Sequence, residues 1–362
     1  MVRTKRQRLN LVVDPRFSGG TTAAVAREIY ALAPLCDLSL TAISSKLFKG
    51  KTVHPLIARA CEELNVPIVW DPATVSSDLV ALHNPSFLKF DHQLSSRITC
   101  DRLFVVCHEN FVRPGGPEGF DVSHCLDVIN QQTLARKKYL SPVSAWNRQC
   151  TKTWMRSHPG NWEIAPFDWT NICDFQMKAP TPTPGDRRGR HSRPGAEKSP
   201  PIHDLLLMFP ETCAAVRLLG ADGLVGDDRA AHWELLDFGA EQVDAFLETI
   251  DFFVYFTHPF WQESFGRVIA EAIAAGKVVI TSPAVASSFL DAVIAANPAD
   301  VDAIVAKMIA DPALYASQVK RSQAALVQFG APAFRHRFQQ LLTHTAPTAP
   351  TNFATEKLYD LL

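Results

Sequence analysis

Residues 251–283, DFFVYFTHPFWQESFGRVIAEAIAAGKVVITSP, carry the clearest indication of the fold. The run FFVYF has the continuous apolar and aromatic character of a strand that is buried on both faces. After the loop THPFWQES, residues 266–275 are rich in helix-forming residues, and Gly276 is a typical helix end. The following KVVITS has the pattern of a second buried strand. The segment therefore predicts a strand, a loop, a helix and a strand.

The rest of the chain alternates between strand and helix patterns, which indicates parallel sheets with helices on both faces. Strands are predicted at residues 9–14, 39–43, 67–70, 78–83, 103–107, 139–144, 162–165, 214–219 and 233–238. Helices are predicted at residues 21–33, 55–65, 121–135, 145–157, 202–209, 243–250, 289–296, 301–309, 314–329 and 333–342.

Length and composition favour a two-domain globular protein. The chain has 362 residues, 47% of them hydrophobic and 20% charged. The net charge of −1 gives no indication of a nucleic-acid partner, and no apolar run has the length of a bilayer span. The basic N-terminus lacks the apolar core of a signal peptide, so a cytoplasmic protein is expected. The eight cysteines form no CxxC pair and are expected to be reduced.

A change in composition marks the domain boundary. Residues 178–201 are dense in proline, glycine and arginine, as in a linker. We expect an N-terminal domain at 1–177, a linker at 178–188, a C-terminal domain at 189–330, and a terminal helix and tail at 331–362. A second α/β domain should begin with a strand, but the residues before Gly189 are charged, so any strand there is expected to be short.

Three stretches resemble glycosyltransferases of the two-lobed B-type (GT-B) fold, in particular family 4. ESFGRVIAEAIAAGKVVITS resembles the donor-site motif of that family. Residues 18–21 (SGGT) resemble its N-domain glycine loop, and residues 189–200 (GRHSRPGAEKSP) resemble the loop that opens its second domain. The resemblance implies an α/β fold of two Rossmann-like domains facing across a cleft, with C-terminal helices that cross back to the N-domain.

The same motif implies roles for two acids that have seven residues between them. Glu263 would bind hydroxyls of the donor sugar near the reacting centre, and Glu271 would clamp the ribose, because a carboxylate accepts two hydrogen bonds from a diol. The helix start at Phe265, Gly266 and Arg267 would offer free backbone N–H groups to the phosphates. The alternative is that Glu271 only pairs with Arg267 and that Glu263 only favours the helix dipole.

Basic and glycine residues complete the predicted donor site. Arg190, Lys198 and Arg193 would stabilise the charge that develops on a departing nucleoside diphosphate. A solvated basic linker is the alternative. Gly19 and Gly20 follow the first predicted strand, and they are expected at the cleft floor, near the diphosphate or the acceptor.

Two histidines end predicted strands of the first domain, where cleft residues emerge in parallel sheets. His108 follows LFVVC and is predicted to be catalytic at the donor sugar or the acceptor, with a structural role as the alternative. His83 follows DLVALH, and it is predicted with Asn110 to bind acceptor hydroxyls. Ser144 is expected at the edge of the cleft.

The leading prediction is a retaining, metal-independent glycosyltransferase that needs no cofactor besides its nucleotide-sugar donor. The acceptor could be a glycan, a lipid-linked sugar or a small molecule. The basic N-terminus is compatible with a weak peripheral contact to an anionic membrane, and a solubilising segment is the simpler alternative. Two other functions remain open: a non-catalytic two-lobed protein that binds a nucleotide sugar or another solute, and an epimerase or phosphorylase on the same fold.

Overall fold

Runs of branched and aromatic residues in the first half of the chain form a parallel sheet, because such runs can be buried on both faces. The structure is a computed structural model that describes residues 6–17, 19–222, 224 and 229–343. The strands are β1 (Arg8–Val13), β2 (Asp37–Ala42), β3 (Ile68–Trp70), β4 (Thr74–His83), β5 (Arg97–Cys107), β6 (Thr133–Pro142) and β7 (Glu163–Ile164). The helices of this half are α1 (Gly20–Leu32), α2 (Pro55–Glu63), α3 (Val122–Gln132) and α4 (Ala145–Ser157).

The second half of the chain forms a separate parallel sheet from shorter strands. These are β8 (Arg187–His191), β9 (Ala215–Leu219), β10 (Trp233–Leu236), β11 (Phe252–Tyr255), β12 (Val278–Thr281) and β13 (Ile294–Ala295). The helices are α5 (Ile202–Met208), α6 (Val243–Glu248), α7 (Arg267–Ala274), α8 (Pro283–Ala286), α9 (Val301–Ala310), α10 (Pro312–Leu326) and α11 (Ala331–Thr343). Short 3-10 helices lie at Pro85–Leu88, Ala196–Lys198, Leu290–Ala292, Pro298–Asp300 and Val327–Phe329.

The segment of residues 251–283 adopts the predicted strand, loop, helix and strand. All four residues of β11 and all four of β12 are buried, and the two strands pair in parallel with Phe252 beside Val278. Helix α7 buries Ile269, Ala270 and the alanine-rich face beyond them. A parallel pair joined by a helix is the expected product of two apolar runs on either side of a helix-forming segment.

Strand order places a reversal at the centre of each sheet. The first order is β3-β2-β1-β4-β5-β6-β7, and the second is β10-β9-β8-β11-β12-β13. At such a reversal the loops leaving two neighbouring strands diverge, and a crevice opens at the carboxyl ends of those strands. The crevices therefore lie after β1 and β4 in the first sheet and after β8 and β11 in the second. This pair of α/β sheets confirms the predicted fold class.

Strand β8 is central in its sheet although its sequence, RRGRH, is highly charged. The Arg188 side chain is only 1% exposed, and it is held by Asp186 at 2.6 Å, Asp302 at 2.7 Å and the Met208 carbonyl at 2.7 Å. Arg187 is paired with Asp251 at 2.7 Å. The residues predicted as the end of the linker therefore begin the strand, because the neighbouring Asp186 and the distant Asp251 and Asp302 neutralise the charges.

Two further predictions were wrong. Thr133 and the next two residues, predicted as the end of a helix, begin β6 and pair with β5. Residues 289–296, predicted as a helix, contain a short 3-10 helix and then β13, which pairs with β12. In both places sheet pairing overrides the local helical preference. Ser18 and most of the predicted tail lie outside the described residues.

The C-terminal helix α11 returns to the first half of the chain, as expected. Its Phe334 and Phe338 pack edge-on against Trp169, with ring centroids 5.8 and 5.9 Å apart. Arg102 on β5 donates a hydrogen bond to the Leu341 carbonyl at 2.5 Å. No helix within the described residues combines the length and the apolar character needed to span a bilayer. The cysteines are free thiols, and all but Cys213 are buried.

Candidate functional site

The candidate site lies at the crevice after β8 and β11. The loop of residues 256–266 leaves β11 and carries Glu263, whereas residues 192–200 leave β8 and carry Lys198. The two loops touch, because the His258 backbone N–H donates to the Glu197 carbonyl at 3.2 Å. The strand reversal thus brings the predicted acid and the predicted cation to one place.

Glu263 is fixed by two strong hydrogen bonds. Its Oε1 accepts from Lys198 Nζ at 2.5 Å and from the Tyr255 hydroxyl at 2.5 Å. The side chains of Glu263 and Lys198 are 14% and 10% exposed. Burial raises the pKa of Glu263, but the attraction of Lys198 and the two hydrogen bonds outweigh burial, so the net pKa is lowered. Glu263 is therefore a carboxylate at neutral pH and a hydrogen-bond acceptor rather than a proton donor.

Arg190 is a buried cation next to this pair. It is 4% exposed, it donates to the Lys198 carbonyl, and its guanidinium lies 5.5 Å from the centre of the Tyr255 ring. Its Nη1 is buried and makes no hydrogen bond within the described part of the chain. Burial lowers the pKa of Arg190, but a guanidinium remains charged in proteins. A buried N–H without a partner is costly, and an anionic ligand would satisfy it.

Arg193 is placed differently from the other two predicted cations. It is exposed, and it pairs with Glu197 at 2.7 Å at the rim of the same loop. It still contributes to the lowered pKa of Glu263. Arg193 is thus near enough to act electrostatically, while Arg190 and Lys198 form the inner part of the site.

The start of helix α7 is held by packing. Gly266 has a φ of +90°, and a Cβ there would lie 3.2 Å from Ile269 and 3.3 Å from Phe289, so the position favours glycine. The Phe265 side chain is buried against Phe289 and Phe329. Phe265 can therefore face a donor only through its backbone, and its ring instead anchors the helix start.

Glu271 pairs with Arg267 at 2.9 Å, which is the i,i+4 pair that the alternative interpretation predicts. Its other oxygen, Oε2, lies 3.7 Å from His191 Nε2 at the end of β8. Burial raises the pKa of Glu271, and Arg267 partly opposes that rise. Burial also lowers the pKa of His191 to about 4, so this imidazole is neutral at pH 7. Glu271 therefore faces the same strand end as Arg190, and the ion pair does not use its second oxygen.

Two side chains of the first domain form hydrogen bonds with the loop backbone on either side of Glu263. Asn110 Nδ2 donates to the Gln262 carbonyl at 3.0 Å, and the Ser144 hydroxyl donates to the Ser264 carbonyl. Asn147, which is fully buried, donates to Asn110 Oδ1 at 2.9 Å and so fixes the amide. Asn110 was predicted to bind an acceptor, and here it binds the backbone of the loop that carries Glu263.

The remaining first-domain residues lie at the ends of β1, β4 and β5. Gly19 has a φ of +144° and Gly20 begins α1. His108 is partly exposed, and its Nε2 lies 3.1 Å from His83 Nδ1. The His83 side chain has no exposed surface. The structure therefore does not support direct binding of an acceptor by His83, which contacts the partly exposed His108.

A small open cavity adjoins the Glu263 loop on the first-domain side. Its lining includes Glu109, Asn110, Arg113, Trp261 and Gln262. The Trp261 ring lies between two cations, 5.0 Å from the Arg113 guanidinium and 5.3 Å from Lys198 Nζ. Both domains thus contribute to this cavity.

Several site residues carried no readable signal in the sequence. Tyr255 lies inside an apolar strand, His191 belongs to a charged segment, and Asn147 lies within an ordinary helical pattern. Among the described residues, no group of three or more His, Cys, Asp or Glu side chains is arranged to hold a metal ion.

Comparison with known proteins identifies the fold. No protein-family model matches the sequence, and no curated protein has a matching sequence. Solved structures do match. HepE of Anabaena in complex with UDP-glucose superposes with a TM-score of 0.61 at 14% identity, over 92% of this chain and 99% of that chain. Sucrose-phosphate synthase from Thermosynechococcus elongatus has a TM-score of 0.54 at 14% identity, over 93% and 98%. An alpha-glucosyltransferase in complex with UDP-glucose and DNA containing an abasic site has a TM-score of 0.52 at 11% identity, over 94% and 99%. The chain therefore has the GT-B fold, the two-domain architecture of a large class of glycosyltransferases.

Proposed function

We propose that the protein is a glycosyltransferase that moves a sugar from a nucleoside-diphosphate donor to an acceptor. One observation carries the proposal: in a GT-B fold, Glu263, Lys198, Tyr255 and Arg190 are assembled at the strand reversal of the second domain. This is the crevice in which an open α/β sheet binds its ligand.

The cations of the site suit a diphosphate. Transfer of the sugar leaves additional negative charge on the nucleoside diphosphate, and fixed positive charges stabilise that state. Arg190 offers a buried N–H without a partner, and Lys198 is held in place by Glu263. The N-terminus of α7 adds backbone N–H groups that favour an anion.

The two acids suit the uncharged parts of the donor. Glu263 is ionised and can accept hydrogen bonds from sugar hydroxyls, while Glu271 is placed near the end of β8 to accept from the ribose. Because Lys198 and Tyr255 already engage Glu263, we infer a transfer without a glutamate nucleophile. In that transfer the departing phosphate accepts the acceptor's proton and the anomeric configuration is retained.

UDP-sugars are the first donors to test, since UDP-glucose is bound in the structures of HepE and of the alpha-glucosyltransferase. In this proposal the acceptor enters from the first domain, where the cavity beside Trp261 adjoins the Glu263 loop. A glycan, a lipid-linked sugar or a small molecule would each offer the hydroxyl that the reaction needs.

The test combines a donor panel with a matched pair of lysine variants. UDP-, GDP- and dTDP-sugars are compared by thermal shift and by release of free nucleoside diphosphate in the presence of an acceptor pool. Lys198→Met should abolish release of nucleoside diphosphate. Lys178→Met should retain it, because Lys178 only forms an exposed pair with Glu248 at 2.8 Å.

Two outcomes would contradict the proposal. Donor binding without release in any acceptor pool would indicate a binding protein. No thermal shift with any nucleotide sugar would show that the site takes another ligand.

A further inference from the structure

Two loops at one edge of the first sheet present exposed lysines and an exposed phenylalanine. Residues 43–54 leave β2 and residues 84–96 leave β4, and both strands pair in parallel with β1, so the two loops emerge at the same edge. The loops touch, because the Lys46 backbone N–H donates to Asp91 Oδ2 at 3.1 Å. The exposed side chains that define this basic patch are Lys46, Lys49, Lys89 and Phe90.

The acids that contact these loops leave the charge of the basic patch uncompensated. Asp14 and Asp91 are buried, and Glu109 accepts a hydrogen bond from a loop hydroxyl at 2.6 Å. Asp71 is paired with Lys51 at 3.0 Å. The three lysines of the patch form no ion pair with any described residue. The patch is therefore a positive surface without an acidic partner on the chain as described.

The backbone under the patch is held in place. Arg16, in the loop after β1, donates to the Phe48 carbonyl at 2.7 Å and to the Gly50 carbonyl at 3.0 Å. Its guanidinium is buried and paired with Asp14 at 2.7 Å. The loop that carries two of the lysines is thus fixed before a partner binds, which lowers the entropic cost of binding.

The combination of lysines with an exposed aromatic ring selects the kind of partner. Lysines near an anionic bilayer are attracted to its surface, and aromatic side chains favour the headgroup region. Lys89 Nζ lies 5.3 Å from the centre of the Phe90 ring, so the charge and the apolar group approach a surface together. A soluble polyanion would use the lysines but would gain little from an exposed phenylalanine.

We propose that the basic patch docks the protein on an anionic membrane, with the three lysines at the lipid phosphates and Phe90 in the headgroup region. The docked edge of the sheet is also the edge at which the crevice after β1 and β4 opens. In a glycosyltransferase this orientation selects a lipid-linked acceptor. Only that last step rests on the proposed function, and membrane binding itself does not.

Cosedimentation of the full chain with vesicles measures the docking. The vesicles contain phosphatidylcholine with about one third phosphatidylglycerol, and phosphatidylcholine alone is the reference. Replacing the three lysines of the patch with glutamine should lower the partition coefficient about 100-fold, and added salt should lower that of the wild type. The matched control removes the same charge at exposed positions on α9, α10 and the amino end of β6, which are Lys307, Lys320 and Arg136.

A second pair of variants tests the aromatic ring. Phe90→Ser should lower the partition coefficient about tenfold. Phe238→Ser is its control, because Phe238 is 60% exposed and Phe90 is 56% exposed, and it should stay within about twofold of the wild type. All these side chains are exposed, so each variant should unfold at the temperature of the wild type.

Several results would overturn the proposal. One is wild-type binding to the anionic vesicles that is no stronger than binding to phosphatidylcholine alone. Another is an equal effect of the lysine variant and its control, which would point to the basic N-terminus instead. A loss in the lysine variant without any loss in Phe90→Ser would indicate a site for a soluble anion. If the protein binds vesicles but releases no nucleoside diphosphate from any nucleotide sugar, the proposed function fails and the membrane contact stands.

Discussion

Glu28 is an acid on α1 that has no exposed surface, and its Oε2 lies 3.3 Å from His83 Nε2. Replacing Glu28 with glutamine should stabilise the protein by an amount that grows with pH. The pKa of Glu28 is 4.5 in its ordinary state and about 8 in the folded protein. Between these values the folded state keeps a proton that the unfolded state has lost. Stability from this group is therefore complete below pH 4.5 and falls as pH rises toward 8.

The magnitude follows from the linkage relation. One proton difference changes the free energy of unfolding by about 1.4 kcal/mol per pH unit. Between pH 5.5 and 7.5 the wild type should therefore lose about 3 kcal/mol relative to Glu28→Gln, which does not titrate. His83 and His108 titrate in both proteins, so their contributions cancel in the difference.

Urea unfolding followed by tryptophan fluorescence at the two pH values measures this difference. Glu63→Gln is the control, because the folded-state pKa of Glu63 is lowered, first by the Tyr30 hydrogen bond, and no gain is expected there. A Glu28→Gln stability difference that is constant across this range, or that shrinks as pH rises, would refute a protonated Glu28.

Three further predictions concern the proposed donor site. Lys198→Met should lower the free energy of unfolding by about 3 kcal/mol, because it leaves the Glu263 carboxylate without its cation. In urea unfolding, the double variant with Glu263→Gln should lose less stability than the sum of the two single variants. Additive losses would contradict the pairing. Asn147→Ala should increase hydrogen exchange in residues 256–266 and lower kcat/KM about tenfold, because the Asn110 amide is then no longer held in place to bind that loop. Unchanged exchange would argue against this role of Asn147. EDTA should leave nucleotide release within about twofold of its starting rate, since fixed cations neutralise the diphosphate; a loss restored by Mg²⁺ would show a metal requirement.

Local patterns were sufficient to predict the segment that bears the proposed donor site. In residues 251–283 the apolar runs, the helix formers and Gly276 each indicate the observed element. Lys198 and Glu263 were predicted separately, and the structure brings them within 2.5 Å. Their meeting depends on the strand reversal, which a one-dimensional pattern does not specify.

Residues whose partners lie far along the chain were not predictable in this way. Strand β8 has charged residues at central positions, and two of the carboxylates that neutralise them, Asp251 and Asp302, lie far along the chain. Glu28 has the local context of an acid on an ordinary helix, yet it has no exposed surface. Whether a charge is paired, buried or solvated is decided by contacts that the neighbouring residues do not encode.

The sequence by itself determined the alternation of strands and helices, the division into two α/β halves and the loop that carries Glu263. These features follow from periodicity and residue propensity, which act over a few residues. The tertiary structure alone decided that Tyr255 and Lys198 hold Glu263, that Asn110 and Ser144 grip the loop around it, and that Glu28 stands behind His83. Those contacts arise only when two sheets and the returning C-terminal helix pack together, because packing sets the distance, burial and charge around each side chain.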